Sequence, residues 1–202
     1  MSSTGCWRVW YRAVGQAALG MAVAAVAGCG GGGDSPAPAP SLAAAPAPGV
    51  GGSNASATCN LPDFTASLLT RVNQTRAAGA NCGSEGNFGP APPVVWNDRL
   101  TQAATGHSQD MQVHNYFSHT SLDGRTLGQR VDATGYTWSL LGENIAAGYT
   151  TVDSVVAGWV ASPGHCANIM RPDLSEMGVA CVPGNSGNTY ATYWTMDLGH
   201  PR

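Results

Sequence analysis

The chain has 202 residues, of which 43% are apolar and only 10% charged, against about 25% charged in a typical globular protein. All nine basic residues are arginine, so lysine Schiff-base chemistry, a phosphate-loop lysine and a lysine general base are excluded. Beyond residue 28, seven Arg face twelve acidic residues. That balance argues against a nucleic-acid partner, which needs a basic stripe to displace counterions.

Residues 1–28 read as an export signal. Arg8 and Arg12 precede an apolar run, Ala13 to Ala27, which is the length of a signal h-region and too short to span a bilayer. Two cleavage readings stand side by side. Val26-Ala27-Gly28-Cys29 resembles a bacterial lipobox, with the lipid on Cys29, whereas Ala25-Val26-Ala27 fits ordinary signal peptidase. The expected location is the cell envelope, lipid-anchored, or secreted or periplasmic if cleavage follows Ala27. Residues 29–57 are rich in Gly, Pro and Ala and carry one charge. Such a stretch buries too little apolar surface to offset its chain entropy and reads as a disordered tether. Residues 58–202 then form one domain.

Six cysteines occur. Cys6 leaves with the signal and Cys29 takes the lipid, so four remain in an exported chain and two disulfides follow. Short loops favour Cys59–Cys82 and Cys166–Cys181; closing a loop of about 15 residues is worth roughly 3 kcal/mol in the chain-entropy model. Without a C-x-x-C, a Cys/His metal site is the weaker reading.

Along the folded part, Phe64, Leu68 and Val72 recur every fourth residue and predict a helix over 62–78, ended by Gly79. Residues 93–96 predict a short strand. Asn97 or Asp98 then caps a long helix with Leu100, Ala104, His107, Met111 and His114 on one face. Thr126 opens a short helix through Leu127, Arg130 and Val131, closed near Gly135. Thr150 or Thr151 caps another, with Val152, Val155, Val156 and Trp159 facing the core, and Ser162-Pro163-Gly164 breaks it. Met177–Val182 and Tyr190–Leu198 alternate like strands joined by a hairpin loop at 184–188. Helices first and strands last predict an α+β fold on an antiparallel sheet.

Three segments concentrate polar chemistry: Phe117-Ser118-His119, Gly142-Glu143-Asn144-Ile145-Ala146 and Ser162-Pro163-Gly164-His165-Cys166. With Trp96-Asn97, Asp123-Gly124, Trp159, Asn168-Ile169, Met177-Gly178-Val179 and Tyr193-Trp194 in order, the chain resembles the bacterial, SCP-domain branch of the CAP superfamily. This superfamily includes cysteine-rich secretory, antigen-5-like and pathogenesis-related-1-like proteins. The resemblance covers about residues 62–199. It implies an α-β-α sandwich and a central cleft where His119, Glu143 and His165 converge.

In many relatives that cleft holds two His and two acidic residues and binds a divalent metal. Here Ser162 stands where the second acid is expected. The resemblance thus implies a cleft of His119, Glu143, Ser162 and His165, with His119, Glu143 and His165 as the metal set. Two imidazoles and one carboxylate with an open position suit Zn. The structural alternative has Glu143 and Asn144 bonding loop N–H groups, His119 capping helix carbonyls and His165 ordering the turn at Cys166. His107 and His114 read as core or edge histidines, and His200 as solvated. The binding reading requires no cofactor; the cofactor the metal reading implies is a divalent ion, Zn. The expected function is a monomeric module that binds a lipid, a sterol or an envelope protein and meets the membrane only through its anchor. The alternative is a metal-assisted hydrolase using His119, Glu143 and His165. A third reading keeps a vestigial cleft in a structural envelope protein.

Overall fold

The side chain of Asn97 accepts hydrogen bonds from the backbone N–H groups of Arg99 and Leu100 at 2.9 and 3.2 Å. It thereby fixes the start of the longest helix at the expected place. The computed structural model describes residues 9–12 and 57–202. The elements are β1 (Val9–Arg12), α1 (Phe64–Ala78), β2 (Ala80–Asn81), β3 (Asn87–Phe88), β4 (Val95–Trp96), α2 (Asp98–Val113) and α3 (Leu127–Asp132). They continue with β5 (Trp138–Ala147), α4 (Val152–Ala161), α5 (Pro163–Met170), β6 (Glu176–Pro183) and β7 (Thr192–Pro201). Thr126 with Gln129 and Thr151 with Ser154 form capping boxes at α3 and α4.

The main sheet runs β1-β5-β7-β6-β4, and β2 and β3 form a separate hairpin. The expected antiparallel sheet needs one correction: β4 joins β6 in parallel, with Val95 opposite Glu176. Strand alternation sends β7 side chains to two faces. Trp194, Met196 and Leu198 pack with residues of α1, α4 and α5 on one face. On the other face Leu100 and Ala103 of α2 pack with Leu127 and Val131 of α3 and with Leu141 of β5. The fold is therefore α+β, with helices on both faces of the sheet.

Two elements depart from the expectations. The segment around Glu143 is the ten-residue strand β5. Pro163 does not end the helical region: it occupies the first turn of α5, whose residues Gly164–Met170 are all buried. At that position a proline loses no helix hydrogen bond.

The disulfide expectation is corrected to Cys59–Cys181 and Cys82–Cys166, with Cα–Cα distances of 5.2 and 5.4 Å. Loop length decides nothing here, because the fold brings distant segments together. Thr58 bridges β6 at Cys181, and the Cys59 N–H donates to the Cys181 carbonyl at 3.1 Å. The β2–β3 turn meets α5 where a Cβ on Gly83 would lie 3.3 Å from Pro163. Ala57, assigned to the tether, is buried with Ala104 and Ala180. The expected export signal and the rest of the tether, with Cys6 and Cys29, lie outside the described residues, except for Val9–Arg12. These four residues pair antiparallel with Leu140–Glu143 of β5. Among the described residues no helix is long and apolar enough to cross a membrane.

Helix α2 crosses β6 at Gly178. A Cβ there would stand 2.1 Å from the Thr101 nitrogen and 2.4 Å from the Leu100 carbonyl carbon. Both obstacles are backbone, so Gly178→Ala must push α2 off the sheet. The expected cost is about 1–3 kcal/mol, the usual range for overpacking. It is measured as a lowered urea midpoint at unchanged m-value.

Candidate functional site

Glu143 lies on β5 with its side chain toward α2 and α3 and is completely buried. Its Oε1 accepts from His119 Nδ1 at 2.7 Å, and its Oε2 accepts from the Arg130 guanidinium. A buried carboxylate needs such partners. Burial alone raises the Glu143 carboxyl, but the His119 hydrogen bond and the Arg130 charge outweigh it and hold the group ionised, below its usual range. Arg130 comes from α3 and is itself nearly buried. Its guanidinium also donates to the carbonyls of His119 and Arg125 at 3.0 and 3.2 Å. One cation thus fixes both the carboxylate and the loop that carries His119.

The expected site residues divide. His119 and Glu143 are in direct contact, and the His119 side chain keeps 15% of its surface exposed. His165 sits on α5, within electrostatic range of both. Burial, with His119 nearby, pushes His165 down to about 4. Its carbonyl accepts from Asn144 at 3.1 Å. Asn168 donates to the Glu143 carbonyl and to Asn144 Oδ1 at 3.0 and 2.8 Å, so the polar groups of α5 clamp the β5 backbone. The Ser162 hydroxyl is buried without a hydrogen-bond partner. His107 is fully buried and its Nε2 pairs with the Ser118 carbonyl at 2.9 Å. Burial pushes it down to about 4, against the pull of Glu143. His114 is exposed and pairs with Asp110 at 2.9 Å; His200 is exposed.

Two residues of this site went unread in the sequence: Arg130, placed only as a helix residue, and Asp197. Asp197 is on β7, directly opposite Glu143 across the β5–β7 pair. It too is completely buried, and neither of its oxygens has a donor.

The chemistry follows from these contacts. With Glu143 ionised, His119 Nδ1 carries the proton of the shared bond, and Nε2 of the neutral ring is an acceptor. His119 is therefore an oriented base at the edge of a closed polar network. The donor set does not fit a three-ligand Zn centre. Glu143 has spent an oxygen each on His119 and Arg130, and among the described residues no three His, Cys, Asp or Glu side chains are arranged to hold a metal ion.

The model of the cysteine-rich secretory protein (CAP) family matches residues 69–198. Over 94 residues the chain is 35% identical to the uncharacterized protein YkwD of Bacillus subtilis (strain 168), covering 46% of this chain and 37% of that one. Over 86 residues it is 36% identical to the uncharacterized membrane protein YlbC of the same organism, covering 43% of this chain and 25% of that one. The matched part thus spans well under half the length of these curated relatives. An extracellular SCP-domain protein from Bacillus anthracis str. Ames has a similar solved structure. It shows 26% identity and a TM-score of 0.51, over 69% of this chain and 44% of that one. Because the family model covers well over half of its residues, the chain belongs to the CAP family.

Proposed function

We propose that this chain is an exported envelope module that binds a protein partner at the face around His119. The observation that carries the reading is an exposed aromatic pair beside that histidine. Phe117 and Tyr190 are 42% and 36% exposed, with ring centroids 5.7 Å apart. Tyr190 also packs edge-on against Tyr193, at 5.8 Å. The Tyr193 hydroxyl donates to Asn115 Oδ1 at 3.1 Å, which ties the rings to the turn after α2. Rings held this way bind at low entropic cost and are the side chains on which interface energy concentrates. Val113, 69% exposed at the end of α2, extends the apolar character.

Export is supported by the apolar run Ala13–Ala27, by the two disulfides and by the likeness to the extracellular protein from Bacillus anthracis. The lipid on Cys29 belongs to the same proposal. A lipid or sterol ligand is less well supported. A concavity of about 650 Å³ is lined by Asp63, Ala66, Ser67, Thr70, Arg71, Gln74 and Asp153, which is polar chemistry. The hydrolase reading keeps one supporting observation, the oriented His119–Glu143 pair. Against it, the Ser118 hydroxyl accepts from the Thr120 N–H, and among the described residues no hydroxyl or thiol hydrogen-bonds the His119 ring.

The test is photo-crosslinking in the producing cell from positions 117 and 190, with exposed Val95 as the control. One discrete adduct from 117 and 190, absent from 95, is the expected result. Hydrolytic activity abolished by both His119→Ala and Glu143→Gln, with no such adduct, would replace the binding reading with the hydrolase.

A further inference from the structure

Two carboxyl groups face each other at the centre of the sheet, and their surroundings are unequal. Glu143 has a histidine N–H and a guanidinium on its oxygens. Asp197 has no donor on either oxygen. Two facing carboxylates offer each other only lone pairs, so a pair without exposure must share a proton or repel. As directly opposite residues on one face of an antiparallel pair, Asp197 and Glu143 have Cβ atoms about 4.5–5.5 Å apart, which puts their carboxyl groups within reach of one another. Among the described residues, the hydrogen bond open to its side chain is one that it donates to Glu143 as a neutral acid.

We propose that Asp197 is a neutral carboxylic acid that donates its proton to a hydrogen bond with Glu143. It thereby acts as a positioning residue for His119. The pair carries one negative charge in total, located on Glu143, and Arg130 neutralises it. Glu143 then has three donors, from α3, from β7 and from the His119 loop, and its rotamer is fixed from three sides. The inference goes beyond the binding reading and stands whether or not that reading survives.

The surroundings of Asp197 are consistent with this. Glu143 faces it from β5 and Arg130 from α3, while β6 brings Gly178, which has no titratable group, to the opposite register position. His107 of α2, His119 of the loop and His165 of α5 act on Glu143 rather than on Asp197. Burial, and then the charge of Glu143, raise the Asp197 carboxyl well above its usual range. A carboxyl raised in the fold contributes stability below its unfolded value, and that contribution is lost as pH rises through its folded value.

Three readouts on the oxidised protein test the proposal. In the wild type, the carboxyl carbon of Asp197 should give the NMR shift of a protonated acid at pH 7. Asp197→Asn replaces a neutral donor by a neutral donor, so its Tm should equal or exceed the wild type, with the gap widening from pH 5 to pH 8. The His119 Nδ1–H proton should keep its hydrogen-bonded NMR shift in that variant. An ionised Asp197 signal at pH 7 overturns the proposal. So does loss of that N–H signal in Asp197→Asn, because a neutral donor exchanged for a neutral donor leaves Glu143 where His119 meets it. Should the variant fail to fold, the wild-type carboxyl signal still decides.

Discussion

Arg130→Ala is expected to destabilise the folded protein by about 3–5 kcal/mol, the cost of breaking a buried ion pair from one side. The Arg130 and Glu143 side chains are 3% and 0% exposed, so the carboxylate loses its cation inside the protein. Glu143 is then left with the His119 N–H and the acid of Asp197 as donors and with no cation on its oxygens, and burial drives its carboxyl upward. The variant should therefore lose stability with rising pH, because the folded state binds protons that the unfolded state releases. The His119 loop loses an anchor as well, through the carbonyls of His119 and Arg125. Urea denaturation at pH 6 and pH 8 checks both the size and the sign. A loss below 1 kcal/mol would mean that the pair is hydrated in solution. Replacing both partners, Arg130→Met with Glu143→Leu, should recover much of the loss, since an apolar pair leaves no charge to solvate.

Arg76→Ala is expected to cost at least as much, by a different route. Arg76 is fully buried with no carboxylate on its guanidinium. It donates instead to four carbonyls: Pro92 and Ile169 at 2.6 Å, Leu174 at 2.9 Å and Arg171 at 3.0 Å. Burial lowers its pKa, but an arginine stays charged at physiological pH. The guanidinium joins α1 to the strand leading into β4 and to the end of α5. Its removal takes the side-chain donor from the Pro92, Ile169 and Leu174 carbonyls, while the Arg171 carbonyl keeps the Leu174 N–H; the cost is about 1–3 kcal/mol for each acceptor that stays dry and unpaired. Arg76→Lys should rescue little, because a compact ammonium lacks the planar fork that reaches several segments at once. Thermal unfolding of both variants checks this; a lysine variant within 1 kcal/mol of wild type would show that charge, not geometry, is what matters.

The helices α1 to α4 were legible because each has one wet face, and α2, α3 and α4 also carry a side-chain cap. Their apolar period and their Asn97, Thr126 and Thr151 caps stand in the sequence. The strands β6 and β7, also buried along most of their length, were legible because a polar Gly/Asn/Ser turn separates them, a mark that β5 lacks. The strand β5 was not, because helices cover both faces of the sheet: residues Leu140–Ala146 are all buried, and a strand covered on both faces shows no period of two. The same holds for α5, buried on every side, where the proline of its first turn reads as a break. His119 and Glu143 were legible as members of ordered motifs. Their contact was not, since 24 intervening residues can be folded in many ways. The unread residues left a faint signal. Arg76 continues the apolar spacing of Phe64, Leu68 and Val72, and Asp197 interrupts an apolar strand. A charge on a core stripe must be buried with partners. The partners come from elsewhere in the chain, and local spacing does not name them. The disulfides failed for the same reason.

The bond between Cys59 and Cys181 also governs how the domain answers tension. It sits one residue past the point where Thr58 bridges β6, and β6 is an interior strand flanked by β7 and β4. A pull on the chain preceding Thr58 therefore passes covalently into the middle of the sheet instead of peeling α1 away. The 122-residue loop between these cysteines is removed from the extensible length, and the Cys82–Cys166 loop lies nested inside it. To yield along that path the sheet must shear β6 against β7, breaking a ladder of backbone hydrogen bonds together rather than one at a time. Among the described residues, the entry of the chain at Thr58 is thus covalently braced against the interior of the sheet.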